Sequence, residues 1–347
     1  MKLRVAINGF GRIGRLFFRQ AFERLEIDLV AVNDLGELEN LAYLLKYDSV
    51  YRTYAKPIRI ERSEKDQNGM GYLFVGGHKV IMFKETDPAR LPWRELEVDV
   101  VVESTGVFDS YEKASVHLAA GAKRVVISAP AKDEDGLAGQ TVLLGINEEK
   151  FRQSSISSNA SCTTNAVSPV MEILNEEIGI KKSILSTVHA YTATQMLVDS
   201  AVKGKDYRRG RAGAQNIVPS TTGAAIAVTR AIPELAGKFD GVSFRVPVMA
   251  GSFADITCVT ARKTNAQEVN DIFRRAAKEP RWQGILNVVE EQIVSSDIIG
   301  EPYGAIVDLS FTKVIDGDLV KVLSWYDNEW GYASVLVEHV VRAGKTI

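Results

Sequence analysis

The sequence predicts an α/β chain of two domains, a mostly parallel sheet covered by helices followed by an α+β domain with a mixed sheet. Three observations carry this. Strand-like apolar segments alternate with amphipathic helix patterns up to about residue 129, and a glycine turn joins the first strand to the first helix. Beyond residue 162 the texture changes to long extended segments.

The elements follow in order. LRVAIN, GFGRIG, RLFFRQAFERL and IDLVAVN over residues 3–33 read as strand, glycine turn, helix and strand, a βαβ unit. YLFV, VDVVVES and KRVVISA supply further strands, with the helical pattern YEKASVHLAAG between the last two. SEKDQNGMG, residues 63–71, reads as a polar turn within an inserted hairpin. After Cys162, TTNAVSPVMEILNEEIGI is helical in pattern, and SILSTVHAYT, GVSFRVPVM, FADITCVTARK and AIVDLSFTKVI are extended. Residues 195–222 form a long basic, glycine-rich irregular stretch, and loops of that length are usually functional or disordered. YASVLVEHVVRA closes the chain as an amphipathic helix. The expected domains are 1–161 and 162–328, with a terminal helix at about 329–347 packing back on the first and catalysis at the domain junction.

Composition excludes several classes. Lys plus Arg total 42 against 44 acidic residues, so no global basic field points to nucleic acid as a primary partner. The start MKLRVAINGF lacks a signal-peptide core, and no apolar run approaches the roughly 20 residues needed to span a bilayer. No membrane association and a cytoplasmic location are expected. Only Cys162 and Cys258 occur, too few for a disulfide framework and without zinc-site spacing, so no metal is expected.

Gly9, Gly11 and Gly14 form G-x-G-x-x-G directly after a strand and at the head of a helix. The first glycine permits the turn, the second lets backbone amides approach a pyrophosphate, and the third allows close helix packing. Asp34, placed at the end of the second strand 20 residues after Gly14, suits the adenine ribose hydroxyls and would repel a 2′-phosphate. The domain is therefore expected to be Rossmann-type and to prefer NAD over NADP.

SNASCTTNAVSP sets Cys162 among hydroxyl and amide groups, without β alternation. A nucleophilic thiol needs its pKa lowered, and Ser161 can cap a helix starting near Cys162 so that the sulfur meets the positive helix end. Pro169 inside that pattern admits a kink or an offset start. Cys258, with Ile256 and Thr260 on its strand face, reads as a packing thiol. His78 reads as a turn residue, and His117 and His339 as surface or packing residues. His189 in STVHAYT is by itself compatible with a core histidine as well as a base. Arg208, Arg209 and Arg211 crowd the irregular stretch, and Arg245 interrupts an apolar strand. Arginine forks match phosphate oxygens, so a negatively charged substrate is indicated. PSTTGAA adds hydroxyls and a glycine amide suited to a second anion.

NGFGRIGR, SNASCTTN, HAYT, STTGAA, RVP and SWYDNEWGY occur in this order, and essentially the whole chain resembles the phosphorylating glyceraldehyde-3-phosphate dehydrogenases. The resemblance implies oxidation of D-glyceraldehyde 3-phosphate to 1,3-bisphosphoglycerate with reduction of NAD, in glycolysis or gluconeogenesis. It implies Cys162 as the nucleophile, passing through a thiohemiacetal and a thioester, and His189 as its base and acid. Thr192, Arg209 and Arg245 would hold the C3 phosphate, and Ser161, Thr163, Thr222 and Gly223 the attacking inorganic phosphate. Arg12, Ile13, Ser128 and Asn328 match cofactor positions alongside Gly9, Gly11, Gly14 and Asp34. A homotetramer is implied, the basic loop lining a neighbouring subunit's cofactor site.

The chain departs from the family pattern at Ile226 (often lysine), at Ala166 (often a second cysteine), at Thr86, in YDSVYRTYAKPI, and in VMAGSFAD after RVP. Erythrose-4-phosphate dehydrogenase shares much of the pattern, although Thr192 in HAYT argues for the three-carbon substrate. A Cys–His hydrolase and a non-catalytic dinucleotide- or RNA-binding protein are the readings of other classes. The former leaves the glycine fingerprint unexplained.

Overall fold

A computed structural model describes residues 2–63, 69–202 and 204–347, and for Gly69 and Met70 the backbone only. The chain divides into two compact units, one of Met1–Val142, Glu148–Ala160 and Leu336–Ile347, the other of Leu143–Asn147 and Ser161–Val335.

The first unit is built on β1 (Leu3–Asn8), α1 (Arg12–Ala21), β2 (Ile27–Asn33), α2 (Leu38–Lys46), β3 (Ile58–Arg62), β4 (Gly69–Val75), β5 (His78–Phe83), β6 (Val100–Glu103), α3 (Tyr111–Ala114), α4 (Val116–Ala119), β7 (Arg124–Ile127), β8 (Gln140–Thr141) and β9 (Ile156–Ser158). Its sheet runs β3-β4-β5-β2-β1-β6-β7-β9-β8. The two pairings within β3-β4-β5 are antiparallel and the remaining pairings parallel. From β1 the chain goes first to β2 on one side and later to β6 on the other, so the order reverses at β1. Open parallel sheets bind ligands outside the strand ends at such a point. Both faces of the central strands are buried, as their unbroken apolar runs require: Val5, Ala6, Ile7, Val100, Val101, Val102, Val125 and Val126 are all fully covered.

Three expectations shift here. β2 ends at Asn33, with Asp34 just beyond it. His78 opens β5 instead of sitting in a turn, and its Nε2 lies 2.9 Å from the Leu29 carbonyl oxygen. The helical pattern after Ser110 breaks into α3 and α4 at Ser115, which folds its hydroxyl back to the Glu112 carbonyl. The inserted hairpin is present as antiparallel β3 and β4, while most of the turn expected at 63–71 lies outside the described residues.

The second unit contains α5 (Cys162–Ile178), β10 (Ile180–Ala190), β11 (Val218–Thr221), α6 (Ala224–Ala231), β12 (Phe239–Val246), β13 (Ser252–Thr260), α7 (Ala266–Ala276), β14 (Leu286–Val289), β15 (Ala305–Ile315) and β16 (Leu319–Tyr326). The last helix, α8 (Trp330–Gly344), divides between the two units. The sheet order is β11-β12-β10-β13-β16-β15-β14. It is mixed, with β10 parallel to β12 and β14 parallel to β15. On β13 the alternation is complete: Ser252, Ala254, Ile256, Cys258 and Thr260 are buried and the residues between them partly exposed. Leu185, Thr187 and His189 of β10 share that buried side, on which α5 packs. Pro169 sits inside α5 without ending it. Only one helical hydrogen bond is forfeited there, and burial of Val167, Val170, Met171 and Leu174 around it outweighs the loss.

Candidate active site

Within the first unit the glycine turn behaves as its sequence requires. Gly9 has φ +95°, and a Cβ there would lie 2.6 Å from the Thr105 amide nitrogen. A Cβ on Gly14 would lie 2.1 Å from the Gly9 carbonyl oxygen, so only glycine lets α1 approach β1 this closely. Gly11 differs: its Cβ would meet nothing within 4 Å. The constraint there is open space above the backbone, at the start of a helix whose N-cap makes no side-chain hydrogen bond. Asp34 accepts the Phe10 amide at 2.6 Å and the Gly36 amide at 2.8 Å, which ties the end of β2 to the glycine turn. Ser128 follows β7 directly, so Gly9, Asp34 and Ser128 all lie just past the carboxyl ends of the parallel strands. Ile13 lies in the first turn of α1. Arg12, beside it, pairs with Asp48.

Beneath this turn lies a buried polar network that the sequence did not suggest. Glu103 accepts from Asn8 Nδ2 at 2.6 Å, from the Thr105 amide at 2.8 Å, and from His117 Nε2 at 3.0 Å. Trp93 Nε1 donates to His117 Nδ1 at 3.0 Å. An indole only donates, so Nδ1 must accept and Nε2 carries the proton that Glu103 receives. His117 is thereby a packing residue with a fixed tautomer.

In the second unit Cys162 is the first residue of α5. Ser161 is the N-cap and accepts the Thr164 amide at 3.1 Å, a contact typically worth about 1 kcal/mol. Ala160, just before it, has φ +52°, an uncommon conformation for a residue with a side chain. The sulfur lies 3.3 Å from His189 Nε2. That histidine is 3% exposed on β10 and is paired in the parallel ladder with Arg245 of β12. Its Nδ1 lies 2.6 Å from both the Ala190 carbonyl oxygen and Arg245 Nη1. With the proton on Nδ1, the ring donates to Ala190 and offers a bare Nε2 to the thiol. With Arg245 donating to Nδ1, the Nε2–H faces the sulfur instead. The contacts are compatible with either neutral tautomer, and in both Nε2 faces the sulfur.

Electrostatics correct one expectation. Burial pushes the Cys162 thiol above its ordinary pKa, against the opposing pull of Arg245 and of hydrogen bonds from Thr163 and its own backbone. Burial, with the Arg245 charge, lowers His189 to about 3. Desolvation penalises the charged form of each group, so burial favours the neutral thiol and the neutral imidazole. Cys258 is a true packing thiol, 1% exposed and pushed up to about 12 by burial.

The arginines separate into two kinds. Arg208 pairs with Asp206 at 2.9 Å and Arg211 with Asp199 at 2.7 Å, so both are solvated loop residues with local partners. Arg209 faces Asp206 at 3.5 Å but also donates to Ser220 Oγ at 3.1 Å and lines one small cavity with Arg245, Thr194, Gln195, Val218 and Ser220. Thr192 lies at its edge, its hydroxyl 3.0 Å from that of Thr194. Thr222 and Gly223 stand elsewhere. β11 pairs Val218 with Arg245 but Thr221 with Val242, so the TG turn lies roughly 10 Å or more along the strand from the arginine rung. Thr222 Oγ1 accepts the Ala224 amide at 3.1 Å, at the start of α6. Thr163 Oγ1 lies 3.0 Å from the Tyr326 hydroxyl, which also meets Thr187 Oγ1 at 2.7 Å.

Two domain families match the chain. Residues 3–111 match the glyceraldehyde 3-phosphate dehydrogenase NAD binding domain, and residues 161–328 match the C-terminal domain of the same enzyme. Full-length relatives agree. Glyceraldehyde-3-phosphate dehydrogenase 2 of Streptomyces avermitilis is 45% identical over 350 residues, and the enzyme of Mycolicibacterium smegmatis 46% identical over 355. The Mycobacterium tuberculosis enzyme is 46% identical over 354, and each alignment covers 100% of both chains. The chain belongs to the glyceraldehyde-3-phosphate dehydrogenase family.

As a member of that family it is an NAD-dependent oxidoreductase with a Rossmann-type first domain. The geometry fits the cofactor, because the space above Gly11 is open at the N-terminus of α1, where helix amides have no intrahelical acceptor. Among the described residues no helix is long and apolar enough to cross a membrane, and no cluster of His, Cys, Asp and Glu could hold a metal.

The segment VMAGSFAD, which departs from the family pattern, clamps Asn328. The Gly251 amide donates to Asn328 Oδ1 at 3.1 Å and Ser252 Oγ at 2.9 Å, while Ser252 Oγ also accepts the Ala190 amide at 3.1 Å. One serine thus ties the β10 residue next to His189 to Asn328. Gly251 is obligatory there, with φ +87° and a Cβ position 2.3 Å from the Ser295 carbonyl oxygen. Sequence reasoning missed Ser252 and Tyr326, whose partners lie far away along the chain, and Thr194, which only the fold brings into one cavity with Arg209 and Arg245.

Proposed function

We propose that the chain catalyses phosphorylating oxidation of D-glyceraldehyde 3-phosphate, with Cys162 as nucleophile and His189 as its base and acid. The observation that carries this is the 3.3 Å approach of Cys162 Sγ to His189 Nε2 on the rung that holds Arg245. The sulfur bonds to the aldehyde carbon as its proton passes to Nε2, and Nε2 then delivers that proton to the carbonyl oxygen to give a thiohemiacetal. NAD, held by the residues named below, would supply the acceptor for the hydride leaving that carbon. His189 takes the hydroxyl proton, leaving a thioester on Cys162. An oxygen of inorganic phosphate then bonds to the acyl carbon, the carbon–sulfur bond breaks, and the acyl phosphate departs.

In the same proposal Arg209, Arg245 and Thr192 bind the C3 phosphate, while Ser161, Thr163, Thr222 and Gly223 take the attacking phosphate. The separation of the TG turn from the arginine rung supports two anion positions. Gly9, Gly11, Arg12, Ile13, Gly14, Asp34, Ser128 and Asn328 hold the cofactor. We assign the cofactor to residues 1–161 and the acyl chemistry to 162–328. The enzyme works in the cytoplasm, where a catalytic thiol stays reduced.

A homotetramer belongs to the same proposal, supported by the sheet face opposite α5. There Ile184, Val242, Phe311, Ile315 and Leu319 are exposed by 56, 43, 50, 63 and 38%. A side of a sheet this apolar is suited to burial against another copy.

The test is NADH formation from glyceraldehyde 3-phosphate with and without inorganic phosphate. Steady turnover is expected only with phosphate, and at most about one NADH per chain without it. Undiminished turnover without phosphate, or a marked preference for erythrose 4-phosphate, would overturn the reading. Asp34→Ser is expected to improve kcat/KM for NADP relative to NAD by about fivefold or more, since like charges 4 Å apart repel by about 1 kcal/mol even in bulk water. An unchanged ratio would place the discrimination on other residues.

A further inference from the structure

Gln195 follows β10 in the first turn of the basic loop, where its backbone amide donates to the Thr192 carbonyl at 2.9 Å. Its side-chain oxygen accepts the Thr192 amide at 3.3 Å. That contact sets the orientation of the carboxamide, because a flipped group would point its N–H at another N–H. Nε2 is consequently turned the other way. It is buried and has no hydrogen-bond partner. An amide donor in that state costs about 1–3 kcal/mol unless something else meets it. Gly213 packs over the group, and a Cβ there would lie 3.3 Å from Nε2, so the absence of a side chain at 213 leaves the amide its room.

The cavity that Gln195 lines also holds Arg209 and Arg245, and Ser220 is already engaged by Arg209. No carboxylate lines it. Arg209 also faces Asp206 at 3.5 Å outside the cavity lining, so the lining itself offers two guanidinium groups and a neutral NH2 donor, a set that suits a tetrahedral oxyanion with the amide as a neutral third donor.

We infer that Gln195 Nε2 donates to the C3 phosphate of the substrate and helps select phosphorylated over unphosphorylated aldehydes. This rests on the proposed function, deepening the substrate site by one residue. The amide suits that task because it adds a directed hydrogen bond without raising the positive charge beside His189.

The experiment compares Gln195→Leu and Gln195→Glu with the native enzyme on three substrates: glyceraldehyde 3-phosphate, unphosphorylated glyceraldehyde and inorganic phosphate. Gln195→Leu should raise KM for glyceraldehyde 3-phosphate about 10-fold or more, since a hydrogen bond to a charged group is lost. Gln195→Glu, nearly isosteric, should raise it further by repelling the phosphate. Preference for the phosphorylated aldehyde should fall by the same factors in each variant. Equal losses with both aldehydes would reduce Gln195 to a structural residue and overturn the inference, as would a rise in KM for inorganic phosphate alone. Native enzyme that oxidised the two aldehydes equally well would instead refute the functional reading itself.

Discussion

Cys162→Ser should lose oxidation of glyceraldehyde 3-phosphate by a factor on the order of 10⁴ or more, while NAD binding followed by calorimetry changes little. The size follows from the site's electrostatics. Desolvation at the sulfur outweighs the groups that favour the thiolate, so the proposed reaction depends on moving the thiol proton to His189 as the carbon–sulfur bond forms. A serine hydroxyl is a far weaker acid and a poorer nucleophile than a thiol, so the same imidazole does not activate it comparably. The glycine turn and Asp34 lie in the first unit, on their own strands, so their geometry does not depend on the sulfur. Dehydrogenase turnover surviving in the serine variant would remove Cys162 from the mechanism.

His189→Gln is expected to reduce kcat by about 10²–10⁴, the usual range for a positioned acid or base. Glutamine keeps a polar group near Ala190 and Arg245 but cannot shuttle a proton. The pH dependence of alkylation gives a second readout. In the native protein the Cys162 thiol sits above its ordinary value, so its reaction with iodoacetamide should keep rising with pH beyond the ordinary thiol range, about 8.5. The sign follows from burial: the neutral thiol is the favoured form, and thiolate accumulates only above the raised pKa. A rate already at its plateau by pH 7 would mean a thiolate–imidazolium pair at rest, contrary to the arrangement described. Equal kcat in the two proteins would exclude His189 as the proton carrier.

Local signals in the sequence were enough for the local geometry of the glycine turn and of the α5 N-terminus, though not for the role of the thiol there. The glycine turn is a single β1–α1 junction, and Ser161, Cys162 and the head of α5 are consecutive, so spacing and residue type carried them. The Cys162–His189–Arg245 constellation became legible only through resemblance, because β10 meets β12 across 56 residues of sequence. What stayed hidden depended on packing. Nothing in the sequence gives the direction of the thiol's shift, since desolvation is set by what folds over the sulfur. Gly251 and Ser252 read as a departure from a pattern until their hydrogen bonds to Asn328 were seen. Gln195 sits in a stretch that reads simply as basic loop, and its importance lies in an orientation set by one backbone amide.

Burial of Cys258 has a practical consequence. A thiol held near pKa 12 has only about one thiolate in ten thousand at pH 8, and 1% exposure keeps reagents from it. Cys162 is the only other cysteine and is partly open to solvent. With Cys162 as the proposed nucleophile, a mild alkylating label taken up to saturation therefore counts competent sites directly, one equivalent per chain. Any preparation of this enzyme carries an internal standard for the fraction of its molecules that can work.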